Sequence, residues 1–316
     1  MKNIFIVNPK AGSKDNLALV KKKIAEEGIE DRCEIYVTLS KGNATIFAEE
    51  YVRKHPDEEI RFIACGGDGT ICEVFNAAIH KENVSVSVFP CGSGNDFVKV
   101  FGGQEKFSDL KKIIEAPVKK IDVLKVGDRY SINVVNFGFD TTVAIQVNKD
   151  RDRTGKGSKS SYTKGIVKAL VTSMKNKFKI YADGELLDTN GVALLCTLGN
   201  GQFVGGSFRC SPRAVLDDGL IEVCLVKTIS RLKVVSLIKS YTAGTHLDDP
   251  KLQDIIIYRR AKRVDVEAPE GFAYSLDGEI VYQNRFTVEV DHLALNLAVP
   301  ECSIHTVIKH LNSSMI

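Results

Sequence analysis

The sequence predicts an α/β domain built on a parallel sheet, followed by a mostly antiparallel β-sandwich domain. Three observations carry that expectation. Short apolar runs alternate with helical patterns over roughly the first 125 residues, as in successive strand–helix–strand units. Beyond about Asp122 the apolar period falls to two, the spacing of a strand with one face buried. Finally, 316 residues with 44% hydrophobic and 26% charged side chains suffice for a full core in each of two domains. The boundaries fall at 1–124 and 125–299, and the tail 300–316 is expected to form a short helix that packs back on the first domain.

Each element has its own warrant. IFIV (4–7) is a buried strand, and the stretch that follows puts Leu17, Val20 and Ile24 on one helical stripe ending at Gly28, a natural residue just past a helix. EIYVTL is the next strand. A helix with Ala44, Phe47, Ala48, Tyr51 and Val52 on one face follows, then the strand RFIAC (61–65), the helix TICEVFNAAIH and the strand VSVSVF. Each crossover should be right-handed. In the second domain Val264, Val266 and Ala268 alternate with Asp265 and Glu267, as do Phe286, Val288 and Val290, and Leu293, Leu295 and Leu297 with their polar neighbours. One helical stretch, ISRLKVVSLIKSYTAG, interrupts this β region.

Composition excludes several classes of function. No run of eighteen apolar residues is present, so no spanning helix is expected, and MKNIFIVNPKAG lacks both an apolar signal core and a small-residue cleavage site. An unprocessed, cytoplasmic protein is the expectation. Eight cysteines without C-x-x-C spacing read as free buried thiols, and six histidines without an H-E-x-x-H pair give no zinc site. A net charge of +3 is too small to argue for nucleic acid. The charge is uneven, however: residues 149–179 hold ten Lys or Arg against two Asp. A polar, glycine-bearing loop, NKDRDRTGKGSKSSYTKG, there feeds a basic helix in which Ile166, Leu170 and Met174 recur. The segment reads either as a solvated charge run or as a dock for an anionic surface, membrane lipid first.

The chemistry sits in three turns. RFIAC runs into Gly66-Gly67-Asp68-Gly69-Thr70 and directly into a helix. Glycines there let backbone approach a phosphate, and the helix N-terminus points N–H groups at it. IFIV is followed by Asn8-Pro9-Lys10-Ala11-Gly12, and VSVSVF by Pro90-Cys91-Gly92-Ser93-Gly94-Asn95-Asp96. In an open α/β sheet such turns gather at the carboxyl ends of the strands, so the three should converge on one anionic ligand. Neither G-x-x-x-x-G-K-[ST] nor G-x-G-x-x-G occurs, which excludes a P-loop and a dinucleotide fingerprint.

Together, NPxxG, GGDGT and PxGSGND resemble the diacylglycerol kinase catalytic domain, shared with sphingosine and ceramide kinases and soluble bacterial lipid kinases and distantly with NAD kinases and phosphofructokinases. The resemblance extends to Pro212–Leu220 and to Leu276-Asp277-Gly278-Glu279. It implies a Rossmann-like first domain of the phosphofructokinase and NAD-kinase kind. It also implies ATP bound between domains, lined by Asn8, Pro9, Lys10, Ala11 and Gly12, by Thr38, by Gly66, Gly67, Asp68, Gly69, Thr70, Ile71, Cys72 and Glu73, and by Ser93, Asn95 and Asp96. Ser93 stands where the family commonly has Thr. Asp68 is expected to act through magnesium, because a carboxylate and a triphosphate need a cation between them. Asp122 is open between that network and a structural cap. Glu279 is the expected general base for a lipid hydroxyl. Asp218, with the carbonyls of Val215 and Leu220, resembles a second, structural site for magnesium or calcium, a role Asp217 would share or replace.

The resemblance implies a kinase whose acceptor is most readily diacylglycerol, met at an anionic membrane by peripheral association at its inner face; phosphatidylglycerol, a sphingoid base and NAD stay open as acceptors. Other classes also stay open: a nucleotide-sensing module without turnover, and a nucleic-acid binder acting through the basic segment, although no nucleic acid is the expectation. Oligomeric state is not readable from these residues, and the resemblance to the bacterial members leaves a homodimer open.

Overall fold

The computed structural model describes residues 1–12, 14–154 and 159–300. The described residues form two units, one made of Met1–Asp122 and residues 292–300, the other of Val123–Asp291. The short helix expected of the tail lies outside the described residues.

The first unit carries β1 (Lys2–Val7), α1 (Asn16–Glu26), β2 (Cys33–Val37), α2 (Asn43–Lys54), β3 (Ile60–Gly66), α3 (Asp68–Ala78), β4 (Val84–Pro90) and α4 (Leu110–Ile114). Its strands lie in the order β4-β3-β1-β2, all parallel. That arrangement explains the sequence: β1, β3 and β4 are buried almost throughout, because a parallel sheet flanked by crossover helices is covered on both faces. Helix α1 begins at Asp15, whose carboxylate accepts the Ala18 N–H at 3.0 Å. It ends at Gly28 (φ +63°), where the Gly28 and Ile29 N–H groups bond back to Ala25 and Ile24 and the buried Ile29 and Ile24 side chains close the turn.

The second unit begins within β5 (Val118–Val126) and continues through β6 (Arg129–Ser131), β7 (Val134–Gly138), α5 (Phe139–Thr154), α6 (Lys159–Thr172), β8 (Asn176–Lys177), β9 (Lys179–Ala182), β10 (Glu185–Leu186), β11 (Val192–Gly199), β12 (Ile221–Lys227), α7 (Arg231–Ala243), β13 (Ile256–Ala261), β14 (Arg263–Glu267), β15 (Ala273–Leu276), β16 (Glu279–Tyr282) and β17 (Arg285–Ala298), whose end returns to the first unit. One sheet runs β13-β12-β11-β7-β15-β16, the other β10-β9-β14-β17, and the pairings are antiparallel. Buried residues of both sheets share one core, with Phe137 edge-on to Phe178 and Phe286 at centroid distances of 4.9 and 5.8 Å.

The sandwich is more helical than the sequence suggests. Three helices, α5, α6 and α7, pack into a second core with residues of β7, β11 and β12. Most of the supposed loop at 148–165 is helix, interrupted only where residues 155–158 are not described. Its apolar signal is thin because α5 buries a narrow stripe, Phe139, Val143 and Val147, beneath a charged surface. Gly165, which reads as a loop residue, lies inside α6 because α5 crosses there; a Cβ on it would come within 3.0 Å of the Val143 backbone. Conversely α6 stops at Thr172, and Met174 packs on the same core from beyond its end. Among the described residues no helix is long and apolar enough to cross a membrane.

Candidate active site

The neighbouring strands β1, β3 and β4 end together, and their turns touch. Cys91 and Gly92 donate their N–H groups to the Gly66 carbonyl at 2.8 and 3.1 Å. Gly92 packs its Cα on Gly67 so closely that a Cβ would overlap it, and a Cβ on Gly12 (φ +67°) would overlap the Cys91 carbonyl. Glycine is therefore required for the turns to meet. Asn8 ties the first turn to the second, donating from Nδ2 to Thr70 Oγ1 at 3.0 Å, while Asn16 Nδ2 bonds the carbonyls of Asn8 and Ala11, each at 2.8 Å. The convergence expected from three separate motifs is a physical contact.

Helix α3 starts at Gly67, and Asp68 is its first residue. The Asp68 carboxylate lies against Gly94 and accepts the Asp96 N–H at 2.6 Å and the Asn95 N–H. Burial, and then the negative charge of Asp96, push its carboxyl up to about 6 from a usual value near 4. Lys99, one turn beyond, pairs with Asp96 at 2.5 Å and partly offsets the repulsion. The Asp68 and Asp96 carboxylates thus stand beside the Lys99 ammonium near the N-terminus of α3. Asn95 adopts φ +45° and is fully buried; its Nδ2 donates to Gly92 O at 2.8 Å while its Oδ1 finds no hydrogen-bond partner among the described residues. This donor set is all oxygen, as a hard divalent cation requires, and suits magnesium completed by phosphate and water oxygens. Among the described residues no group of three His, Cys, Asp or Glu gathers around a point, so the cation has no all-protein cage.

The other residues implied for the nucleotide divide by environment. Pro9, Lys10, Gly12, Gly69 and Ser93 are exposed on these turns, and Ala11 and Gly67 are half-buried there. Thr38, buried, bonds Val7 O through its N–H at 2.9 Å at the end of β1. Gly66 and Ile71 are buried, the latter completely, and Cys72 is half-buried. Glu73 has a structural occupation: its carboxylate accepts the Gly42 and Ala44 N–H groups at 2.9 and 3.3 Å, capping α2, whose own Gly42 has no side chain to do so. Asp122 is wholly buried and accepts Leu293 N–H at 2.8 Å, with His292 Nδ1 at 2.7 Å, holding the chain where Leu293 takes φ +53°.

In the second unit Asp277 and Gly278, both at positive φ, turn β15 into β16, and Glu279 is the first residue after the turn. Asp277 anchors that hairpin. Its carboxylate accepts Ser131 Oγ and the N–H groups of Ile132, Asn133 and Val134 at 2.7–3.2 Å. The Gly278 carbonyl accepts Asn148 Nδ2 at 2.9 Å. Glu279 is half-buried at a position fixed from both sides.

The second cation site does not fit as arranged. Asp218 accepts the Leu220 N–H at 3.0 Å through Oδ1 and the Arg260 guanidinium through Oδ2, and Arg260 Nε donates to the buried Glu222 at 3.0 Å. Asp217 is exposed, so Asp218 is the carboxylate turned into the loop, and Val215 beside it is half-buried. A guanidinium already supplies the positive charge there.

Sequence reasoning missed Lys99 and Asp277. Lys99 was visible as a cation three residues after Asp96; Asp277 reads as ordinary Asp-Gly turn chemistry, and nothing local reveals four donors from a segment 143–146 residues away. Also missed is Asp140, the second residue of α5, held up at about 7 by burial against a side-chain hydrogen bond from Asn136, with one carboxylate oxygen lacking a partner among the described residues.

Comparison with known proteins places both halves of the chain in one family. Residues 2–126 match the diacylglycerol kinase catalytic domain, and residues 133–299 match the YegS C-terminal NAD kinase beta sandwich-like domain. The chain is 30% identical over 281 residues to the diacylglycerol kinase of Bacillus subtilis (strain 168), spanning 87% of this chain and 88% of that one. It is also 30% identical over 306 residues to the probable lipid kinase YegS of Escherichia coli (strain K12 / DH10B), spanning 94% and 96%. The crystal structure of a diacylglycerol kinase from Bacillus anthracis str. Sterne shares the fold, with a TM-score of 0.70 at 23% identity over 96% of this chain and 98% of that one. With its motifs, its fold and both of its halves matched, the chain belongs to the diacylglycerol kinase family of lipid kinases.

Proposed function

We propose that this protein transfers the γ-phosphoryl group of ATP to the free hydroxyl of diacylglycerol, giving phosphatidic acid and ADP. The observation that carries the proposal is the contact of three glycine turns beside the Asp68–Asp96 pair, an arrangement suited to a polyphosphate with a divalent cation. Amides at the start of α3 hold the phosphates, and Gly12, Gly67 and Gly92 leave them room. Asp68 and Asp96 would hold magnesium, which supplies neutralisation of the phosphate charge. Glu279 accepts the proton of the acceptor hydroxyl as its oxygen bonds the γ-phosphorus and the bond to the β-phosphate oxygen breaks, leaving ADP with the electron pair. The name borne by the Bacillus subtilis relative supports diacylglycerol as the acceptor. The protein meets that acceptor peripherally at an anionic membrane, where the basic run 149–179 favours docking.

The test is transfer of label from [γ-³²P]ATP to diacylglycerol, phosphatidylglycerol and a sphingoid base in mixed micelles, with NAD as a soluble acceptor. Magnesium-dependent labelled phosphatidic acid is the expected product. Label on another lipid would overturn the acceptor, and label on NAD alone, or on nothing, would overturn the activity.

A further inference from the structure

We propose that the outward faces of α6 and α7 form one surface that inserts apolar side chains into an anionic bilayer. The inference deepens the reading above, since it rests on an acceptor that stays in the membrane. Both helices lie in the layer that covers one sheet of the second unit, and their inner faces are filled: Ala169, Val234, Leu237 and Tyr241 are buried in a common core. Large apolar side chains nevertheless stand on the outside. Val167 and Val171, one turn apart on α6, are 56% and 69% exposed, and Leu232 and Val235, one turn apart on α7, are 86% and 61% exposed. The helices meet end to start, for Arg231 at the beginning of α7 donates from Nε to the Leu170 carbonyl near the end of α6 at 2.7 Å. Val171 and Leu232 are the sequence neighbours of that bond. A shallow depression along α6, edged by Thr163, Lys164 and Lys168, contains both valines.

Charge selects the occupant. Residues 159–175 and 231–243 hold seven Lys or Arg and not one Asp or Glu. Exposed valine and leucine gain nothing in water or against a polyphosphate, but they gain transfer free energy in acyl chains while lysines keep their ammonium groups at the headgroups. A second copy docking face to face would set two such cationic surfaces against each other. A bilayer containing phosphatidylglycerol satisfies both the apolar and the cationic features.

The chain has no tryptophan, so Leu232→Trp and Val171→Trp each supply a single fluorescent probe. Emission of both should move to shorter wavelength on phosphatidylglycerol vesicles, with more lipid needed as salt rises, and barely respond to phosphatidylcholine alone. The proposal is overturned if the emission stays unshifted while the protein pellets with vesicles, if it does not pellet, if the shift occurs without vesicles together with a doubled mass, or if a DNA duplex shifts it equally. In the otherwise native chain, Leu232→Ser with Val235→Ser should weaken vesicle binding at least about tenfold. Transfer to a short-chain, water-soluble diacylglycerol should keep its kcat/KM; equal loss on both would overturn the proposal. If the unaltered protein fails on the short-chain acceptor, the kinase reading fails by itself, and the vesicle fluorescence still judges the surface.

Discussion

Asp68 and Asp277 each stand beside a glycine turn, one in each unit, and burial raises both carboxyls above their usual range. What offsets the burial differs. Asp277 accepts four neutral donors that converge from Ser131–Val134, so its environment is complete in the protein alone. Asp68 accepts two N–H groups and faces the like charge of Asp96, which Lys99 partly offsets. The first arrangement builds a scaffold that fixes Glu279. The second leaves a like-charge repulsion inside the turn, the arrangement expected if a divalent cation is bound there as proposed above.

The sharpest way to break this contrast is to remove charge without shape. Asp68→Asn should cut phosphoryl transfer at least about 100-fold with an unchanged circular dichroism spectrum; a variant within a few-fold of the native rate would strip Asp68 of its role. Glu279→Gln should lose about 100-fold through kcat, its melting temperature unaltered. Removing the satisfied partner should instead strike stability: Asp277→Ala strands four donors and should cost about 3 kcal/mol in urea unfolding.

The same Asp68→Asn change should stabilise the fold at pH 7. The Asp68 carboxyl is raised in the folded state, so its contribution is favourable at low pH and is lost as pH rises from about 4 toward about 6. The variant should therefore gain about 1–3 kcal/mol at pH 7 and nothing near pH 3.5. No gain at pH 7 would mean that Asp96 and burial do not strain Asp68. On the acid side, transfer should fall as pH drops through about 6, where Asp68 protonates and loses its hold on a cation. A smaller effect sharpens the comparison at Asp218. In an Asp68→Asn background millimolar calcium should leave the melting temperature within about 1 °C, whereas adding Arg260→Met should lower it by several degrees and let calcium restore part of the loss. Smallest of all, Glu73→Gln should weaken the α2 cap by about 1 kcal/mol or less.

Much of this was legible in the chain itself. Buried runs such as IFIV and RFIAC, each leading into a glycine-bearing turn, read as strands that deliver turns to one sheet edge, and β1, β3 and β4 are neighbours as that requires. Alternation at Val264–Glu267 announced an antiparallel sheet with one wet face. Helix α5 was not legible, because three apolar residues among charges are a weak periodic signal until a sheet and two other helices supply the surface they bury. Gly165 misled for the same reason, since its lack of a side chain answers to a neighbouring helix rather than to its own backbone.

Local order in the sequence determined the strand–turn–helix units, the glycines and the acidic residues beside them, since these depend on backbone freedom and period alone. Only the tertiary structure decided that Asp68 is strained by Asp96, that Asp277 is satisfied by Ser131–Val134, that Glu73 caps α2 and that Arg260 occupies Asp218. A carboxylate's energy is set by the donors and charges within a few ångströms, and folding brings those from residues 28 to 146 positions away.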